Sequence, residues 1–250
     1  MFDKSSTRRN FLRGAIAGAA ALSLPARSRS AEARPKHIVL LGDSILDNGA
    51  YVGKGPDVIE QLGKRLPPGS RATLGAIDGS LTSGVGLQLK IAPEDATHYV
   101  VSAGGNDALH YSSLINEKAS SVADALERLA PVRESFALDY RAMLDDVTAK
   151  GRPVAVCTIY DAHFPDPKQR RVSSLGLTIF NDCITREAAA RGLALIDLRL
   201  IITAPEDLAN PIEPSVNGGA KIADAILAFA SDDDAGYGRC KVFAGSLAKS

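Results

Sequence analysis

The chain has 250 residues, of which 45% are hydrophobic, 23% charged and 5% aromatic, a composition typical of a water-soluble globular protein with a sizeable core. This composition excludes intrinsic disorder, collagen and a coiled coil. Basic and acidic residues number 29 each, but residues 1–33 hold six of the bases and only two of the acids, which leaves a body with a net charge of −4. Because this body is slightly acidic, and the chain has no Trp and no basic stripe interleaved with aromatics, we expect no nucleic-acid partner.

The first 33 residues are predicted to be an export signal. Thr7-Arg8-Arg9-Asn10-Phe11-Leu12-Arg13 places two adjacent arginines ahead of a small, apolar run over residues 14–24, a combination typical of a twin-arginine signal. The apolar run is about half the roughly 20 residues of a membrane-spanning helix, so we expect no stable membrane span. The sequence therefore predicts a bacterial periplasmic or secreted protein whose partners include the twin-arginine export machinery. The folded domain is predicted over residues 34–250.

Strand and helix patterns alternate along this body. Apolar residues three or four positions apart predict amphipathic helices, including one over about 122–147 that Pro131 is expected to kink or split. The alternation predicts one three-layer α/β/α sandwich around a five-stranded parallel sheet, with ligands bound at the carboxyl ends of the strands. The predicted strands are short apolar or β-branched runs, each expected to be buried on both faces, over residues 37–41, 72–77, 99–102, 154–159 and 194–198.

Candidate catalytic groups follow the first three predicted strands. Gly42-Asp43-Ser44 follows the first, where the glycine permits a tight turn and the serine is placed as a nucleophile beside free backbone N–H groups. Asp78-Gly79-Ser80 follows the second strand, and Gly104-Gly105-Asn106-Asp107 follows the third. The Gly79 N–H and the Asn106 amide could both donate to an oxyanion if they converge with Ser44. Taken singly, each motif is more typical of a turn or a helix cap.

These three blocks, in this order at successive strand ends, resemble the first three sequence blocks of the SGNH (GDSL) hydrolases over about residues 36–229. The resemblance implies a flavodoxin-like α/β/α fold and hydrolysis of ester bonds in lipid, carbohydrate or small acyl substrates. It implies no metal and no organic cofactor. By the same likeness Ser44 would be the nucleophile, and the backbone N–H groups of Ser44 and Gly79 with the Asn106 side chain would form the oxyanion hole.

The usual base of that family is missing. Its members usually carry Asp-x-x-His before the last helix, whereas this chain has Asn210 in place of the Asp and Glu213 in place of the His. One interpretation is that the Glu213 carboxylate accepts the Ser44 proton. That role requires burial that raises the Glu213 pKa above its unperturbed value of about 4.3.

Three other interpretations stay open. His110 or His163, which follow the third and fourth strands, could replace the missing base, whereas His37 and His98 precede or open strands and belong at the wrong end of the sheet. The fold could instead have kept the oxyanion pocket and lost turnover, leaving a binding protein for a carbohydrate or acyl ligand. Glu213 could also be structural, capping the last helix or pairing with Lys221.

Other chemistries find little support in the sequence. It contains no dinucleotide-binding or Walker glycine motif and no metal-ligand spacing. Cys157 and Cys183 lie in apolar patterns and are interpreted as small buried hydrophobes. Asp43 and Asp107 are expected to hold loops by accepting backbone N–H bonds rather than to carry protons.

Overall fold

A parallel sheet with the strand order β2-β1-β3-β4-β5-β6 forms the centre of the protein, as seen in a computed structural model that describes residues 35–232 and 241–243. The predicted export signal, residues 1–33, lies outside the described residues. The parallel α/β/α architecture is confirmed, but the described part of the sheet has six strands where five were predicted. The strands are β1 (His37–Gly42), β2 (Arg71–Leu74), β3 (His98–Ser102), β4 (Val154–Cys157), β5 (Ala194–Ile196) and β6 (Val242–Phe243).

The strand missed by the sequence analysis is β6, which pairs in parallel with Leu195 and Ile196 of β5. Two residues are too few to show any periodicity, so no pattern could have indicated it. The predicted strand 72–77 is too long, since β2 ends at Leu74. It was also wrongly expected to be buried on both faces, because β2 lies at the edge of the sheet and is partly exposed.

Two helical layers cover the sheet. The apolar faces of α1 and α6 pack on one side, and those of α2, α4 and α5 on the other. Pro131 does not split α4, which runs unbroken for 27 residues and starts at the Ser121 side-chain cap. None of the helices in the described part of the chain is both long and apolar enough to cross a bilayer. The helices are α1 (Val58–Arg65), α2 (Val85–Lys90), α3 (Gly105–His110), α4 (Val122–Thr148), α5 (Pro167–Arg191) and α6 (Val216–Ser231).

The central strand β1 is packed from both layers. Val39 and Leu41 enter the core under α2, α4 and α5, while Ile38 and Leu40 enter the core under α1 and α6. All four side chains are fully buried, as expected for alternate residues of a strand covered on both faces. The loop that follows β1 therefore starts from a rigid support.

Gly42 is the last residue of β1, and any other residue at this position would be strained. Its φ is +122°, and a Cβ at this position would lie 1.7 Å from the carbonyl oxygen of Ser102 on β3. We expect Gly42→Ala to lower the free energy of unfolding by about 3 kcal/mol or more, because backbone strain and the clash add. Urea unfolding measures the change. The control is Gly63→Ala within α1, where a Cβ meets nothing within 4 Å and helix propensity predicts a gain of about 1 kcal/mol.

Candidate active site

A cavity of about 710 Å³ opens at the carboxyl ends of the central strands. The order of strands reverses between β1 and β3, and ligands of such sheets bind at this switch point. Ser44, Asn106 and Glu213 all line the cavity, so three of the four predicted site residues are brought together. Gly79 does not line it and lies on the neighbouring loop, which is exposed.

Ser44 lies in a turn that is held by hydrogen bonds to the two residues before it. The side-chain amide of Gln88 on α2 makes two hydrogen bonds with the Gly42 backbone. It accepts one from the Gly42 N–H at 2.7 Å and donates one to the Gly42 carbonyl at 2.8 Å. The N–H groups of Leu46 and Asp47 then bond to the Asp43 carbonyl. The Ser44 N–H donates to no acceptor in the described part of the chain, and its side chain is only 5% exposed. A serine hydroxyl and a backbone N–H without an acceptor among the described residues are thus held at the end of a buried strand.

The other two candidate donors are held by the same loops. The Asn106 side chain donates one hydrogen bond to the Ser80 carbonyl at 3.1 Å, which orients its amide next to the Gly79 loop. Gly79 has a φ of +77°, and its N–H has no acceptor among the described residues. The Asp78 N–H donates to the Asp47 carboxylate at 2.9 Å, tying this loop to the one that carries Ser44.

Glu213 lies on the loop before α6, and polar contacts fix the backbone on both sides of it. The Asn210 side chain accepts the N–H groups of both Ile212 and Glu213 at 2.9 Å. The Tyr160 hydroxyl donates to the Ile212 carbonyl at 2.6 Å, and the Asn48 amide donates to the Pro214 carbonyl at 3.0 Å. Asn210 therefore positions the backbone of Glu213 and not its carboxylate.

The Glu213 carboxylate is buried in an environment that makes it more basic. Burial raises its pKa, the hydrogen-bonding interaction with the Ser44 side chain opposes this rise, and the negative charge of Asp78 adds to it. The side chain is 6% exposed, and Oε2 has no hydrogen-bond partner within residues 35–232 and 241–243. A carboxylate with a free oxygen and a raised pKa, facing a serine hydroxyl, has the properties of a proton acceptor.

Neither structural role considered for Glu213 is observed. The cap of α6 is the Ser215 hydroxyl, which accepts the N–H groups of Asn217 and Gly218. Lys221 pairs with the Asp207 carboxylate at 2.7 Å. The buried carboxylate of Glu213 is thus left without a structural partner in the described part of the chain.

None of the four histidines lines the cavity that holds Ser44. His110 is exposed at the end of α3 and His163 lines a different cavity, so neither lines the cavity with Ser44. At the opposite end of the sheet, His37 contacts Asp95 at 2.9 Å and His98 packs edge-on against Phe229. The sequence-based placement of His37 and His98 at the wrong end is confirmed.

A comparison with protein families found a match over most of the chain. A family model described as the GDSL-like lipase/acylhydrolase family matches residues 40–220, a span that contains Ser44, Gly79, Asn106 and Glu213. The chain belongs to the GDSL-like lipase/acylhydrolase family. No curated protein matches this GDSL-family sequence.

Solved structures share its fold at low sequence identity. An extracellular lipase from Streptomyces rimosus is 18% identical with a TM-score of 0.58, over 78% of this GDSL-family chain and 98% of the lipase. A lipase from a goat rumen metagenome is 20% identical with a TM-score of 0.59, over 82% of this chain and 99% of that one. Phospholipase A1 from Streptomyces albidoflavus NA297 is 16% identical with a TM-score of 0.57, over 78% and 98%.

Asp43 of this GDSL-family protein is a second buried carboxyl group at the cavity. Burial raises its pKa to about 7, although the Ile45 N–H and the Ser102 hydroxyl both donate to it. Because the folded pKa lies above the unfolded one, the ionisation of Asp43 makes the fold less stable as the pH rises towards 7. Asp107 accepts the Thr82 N–H and hydroxyl at 3.0 and 2.9 Å. Both aspartates hold loops, as the sequence predicted.

Three further residues, Asn48, Gln88 and Tyr160, support the site and were not predicted from the sequence. Asn48 is fully buried and joins the start of α1 to the Glu213 loop through Val58 N–H and the Pro214 carbonyl. Gln88 and Tyr160 make the contacts to Gly42 and Ile212 described above. These residues lie far from their partners along the chain and in no recognisable motif, so a single sequence carries no signal for them.

Proposed function

We propose that this GDSL-family protein is an exported serine hydrolase of carboxylic esters, in which Ser44 is the nucleophile and Glu213 is the general base. The observation that carries this proposal is the interaction of the Ser44 hydroxyl with the buried Glu213 carboxylate at one cavity, where Glu213 Oε2 has no hydrogen-bond partner among the described residues. Family membership supports acyl-ester chemistry, and the resemblance of residues 1–33 to a twin-arginine signal supports a periplasmic or secreted location. No metal or organic cofactor enters the proposed reaction.

The proposed reaction has two half-reactions. Ser44 Oγ attacks the ester carbonyl carbon while its proton passes to Glu213, and the alcohol then leaves with that proton. Water attacks the acyl-enzyme, gives a proton to Glu213 and releases the carboxylic acid, with the proton returning to Ser44. In both steps the negative oxygen receives hydrogen bonds from the Ser44 N–H and from the second N–H of the Asn106 amide, both at the cavity, and the Gly79 N–H on the neighbouring loop is the third candidate donor.

The rest of the cavity supports an extended acyl chain as the substrate group. Away from Ser44 its wall comes from α3 and the segment after it, from α4 and from α5, and it is largely aliphatic or aromatic. Burial of each methylene of an acyl chain against such a wall contributes about 0.8 kcal/mol. The apolar residues that form this wall include Leu109, Leu114, Ile115, Leu129, Val132, Val172, Leu177, Ile179 and Phe180.

The test of the proposed function is hydrolysis of p-nitrophenyl esters of increasing acyl length by the wild type and by Ser44→Ala. We expect turnover that depends on Ser44 and that favours octanoate over acetate. Equal rates for the two proteins would refute the proposal.

Gly176 of α5 allows the acyl cavity to be shortened. It lines the cavity, and a Cβ at this position would meet nothing within 4 Å. We expect Gly176→Phe to lower kcat/KM for p-nitrophenyl octanoate by about ten-fold, because about two methylenes of the acyl chain can no longer be buried. Hydrolysis of p-nitrophenyl acetate should be unchanged. Gly176→Ala is the control and should retain the preference of the wild type. Equal loss on both esters would contradict the assignment of the cavity to the acyl chain.

A further inference from the structure

A second cavity lies beside the first. It is an open surface depression with a volume of about 500 Å³, lined by residues of the loop after β4 and of the first turns of α5. Ala162 lines both cavities, so they adjoin at this residue. The same loop bonds to the Glu213 loop through the His163 N–H and the Pro211 carbonyl at 2.8 Å. A molecule that extends through the first cavity as far as Ala162 therefore reaches the edge of the second.

The second cavity has several donors for an anion. Arg170 donates through one guanidinium nitrogen to the carbonyls of Phe164 and Pro165, at 2.6 and 3.2 Å, which orients the group, and its other N–H groups have no acceptor among residues 35–232 and 241–243. Arg171 lines the cavity and makes no hydrogen bond or ion pair within the described part of the chain. His163 adds a ring with further hydrogen-bonding capacity.

One acidic group also faces this cavity. The Asp161 carboxylate lines it and accepts a hydrogen bond from the Ser174 hydroxyl at 2.8 Å. Two guanidinium groups outweigh this single carboxylate. Lys168 and Asp166, on the same turn, both line the first cavity, and their opposite charges offset each other. This local charge contrasts with the acidic balance of the body as a whole.

We propose that the second cavity binds an anionic, phosphate-bearing alcohol part of the ester, held by Arg170 and Arg171 while the acyl chain occupies the first cavity. The inference rests on the proposed function and names its substrate class. Guanidinium groups suit this ligand because their planar array of N–H groups matches the oxygens of a phosphate. Leu175, 70% exposed at the same cavity, offers an apolar contact to the carbon skeleton of the alcohol.

Arg171→Gln tests the subsite, because Arg171 has no partner within the described residues whose loss would disturb the fold. The substrates are mono-octanoyl glycerol and mono-octanoyl glycerol phosphate, which share one acyl group and differ in charge. We expect the variant to raise KM for the phosphate ester by about ten-fold or more and to leave KM for the neutral ester unchanged. Arg186→Gln, an exposed arginine of α5 that lines neither cavity, is the control and should change neither value.

Calorimetric binding of glycerol phosphate keeps the test independent of turnover. We expect the wild type to bind it and Arg171→Gln to bind it at least ten-fold more weakly. If this difference is found but neither ester is hydrolysed, the hydrolase proposal is refuted and the binding subsite stands. Equal binding by both proteins, or equal effects of the variant on both esters, would overturn the subsite. Inorganic phosphate could also bind as tightly as glycerol phosphate, with equal KM values for the phosphate ester and the neutral ester. That result would assign the cavity to a free anion and would overturn the proposed subsite.

Discussion

Ser44→Ala should reduce ester hydrolysis by about 10⁴-fold or more and leave only the residual acceleration that binding and the oxyanion donors supply. The Ser44 hydroxyl is the group that lies at the cavity and interacts with the buried Glu213 carboxylate. Alanine keeps the backbone N–H, so the substitution removes the nucleophile and retains this donor. The measurement is kcat for p-nitrophenyl octanoate.

A covalent label makes the same test independent of the substrate. An alkyl fluorophosphonate should add one group to the wild type, located on Ser44 by peptide mass spectrometry, and none to Ser44→Ala. Ser112→Ala is the matched control, because its hydroxyl also lines the cavity. If Ser112→Ala lost as much activity as Ser44→Ala, the nucleophile would be misassigned. A wild type that neither turns over esters nor takes the label would support the binding protein that the missing Asp-x-x-His first suggested.

The sheet and the positions of Ser44 and Asn106 could be predicted from the sequence because both depend on local signals. Buried parallel strands are continuous apolar runs, and each candidate group follows such a run within a few residues. The carboxyl ends of parallel strands share one edge, so Ser44 and Asn106 could be placed together without coordinates. The predicted ends of β2, β4 and β5 ran too far because the apolar residues continue into the loops. Ile159 and Leu198 leave the sheet and still pack against the cavity wall or the core.

The environment of Glu213 could not be predicted in the same way. Its position in the sequence was known, but its basicity depends on burial by residues from distant segments and on the charge of Asp78. The contacts that orient it come from Asn48, Tyr160 and Asn210, of which only Asn210 lies within its own loop. Tertiary packing decides both properties, so one sequence leaves them open.

Glu213→Gln should lower kcat by about 10²- to 10⁴-fold, the range for a lost general base, and should leave the fold intact. Glutamine preserves the shape of the side chain but cannot take up a proton from Ser44. The free energy of unfolding should not fall at neutral pH, because the charged carboxylate is buried with one oxygen unpartnered among the described residues, and the uncharged amide removes that cost. Loss of activity without loss of stability separates a base from a structural residue.

The pH profile gives the sharper readout. A base works in its deprotonated form, so wild-type kcat/KM should fall as the pH drops through the Glu213 pKa, which burial places above its usual value. Glu213→Gln should lose this acid limb. Glu206→Gln is the matched control, since it makes the same chemical change at an exposed position of the preceding segment and should leave rate and profile unaltered. A Gln variant at full rate with the limb intact would move the base to His163 or His110, although neither lines the Ser44 cavity.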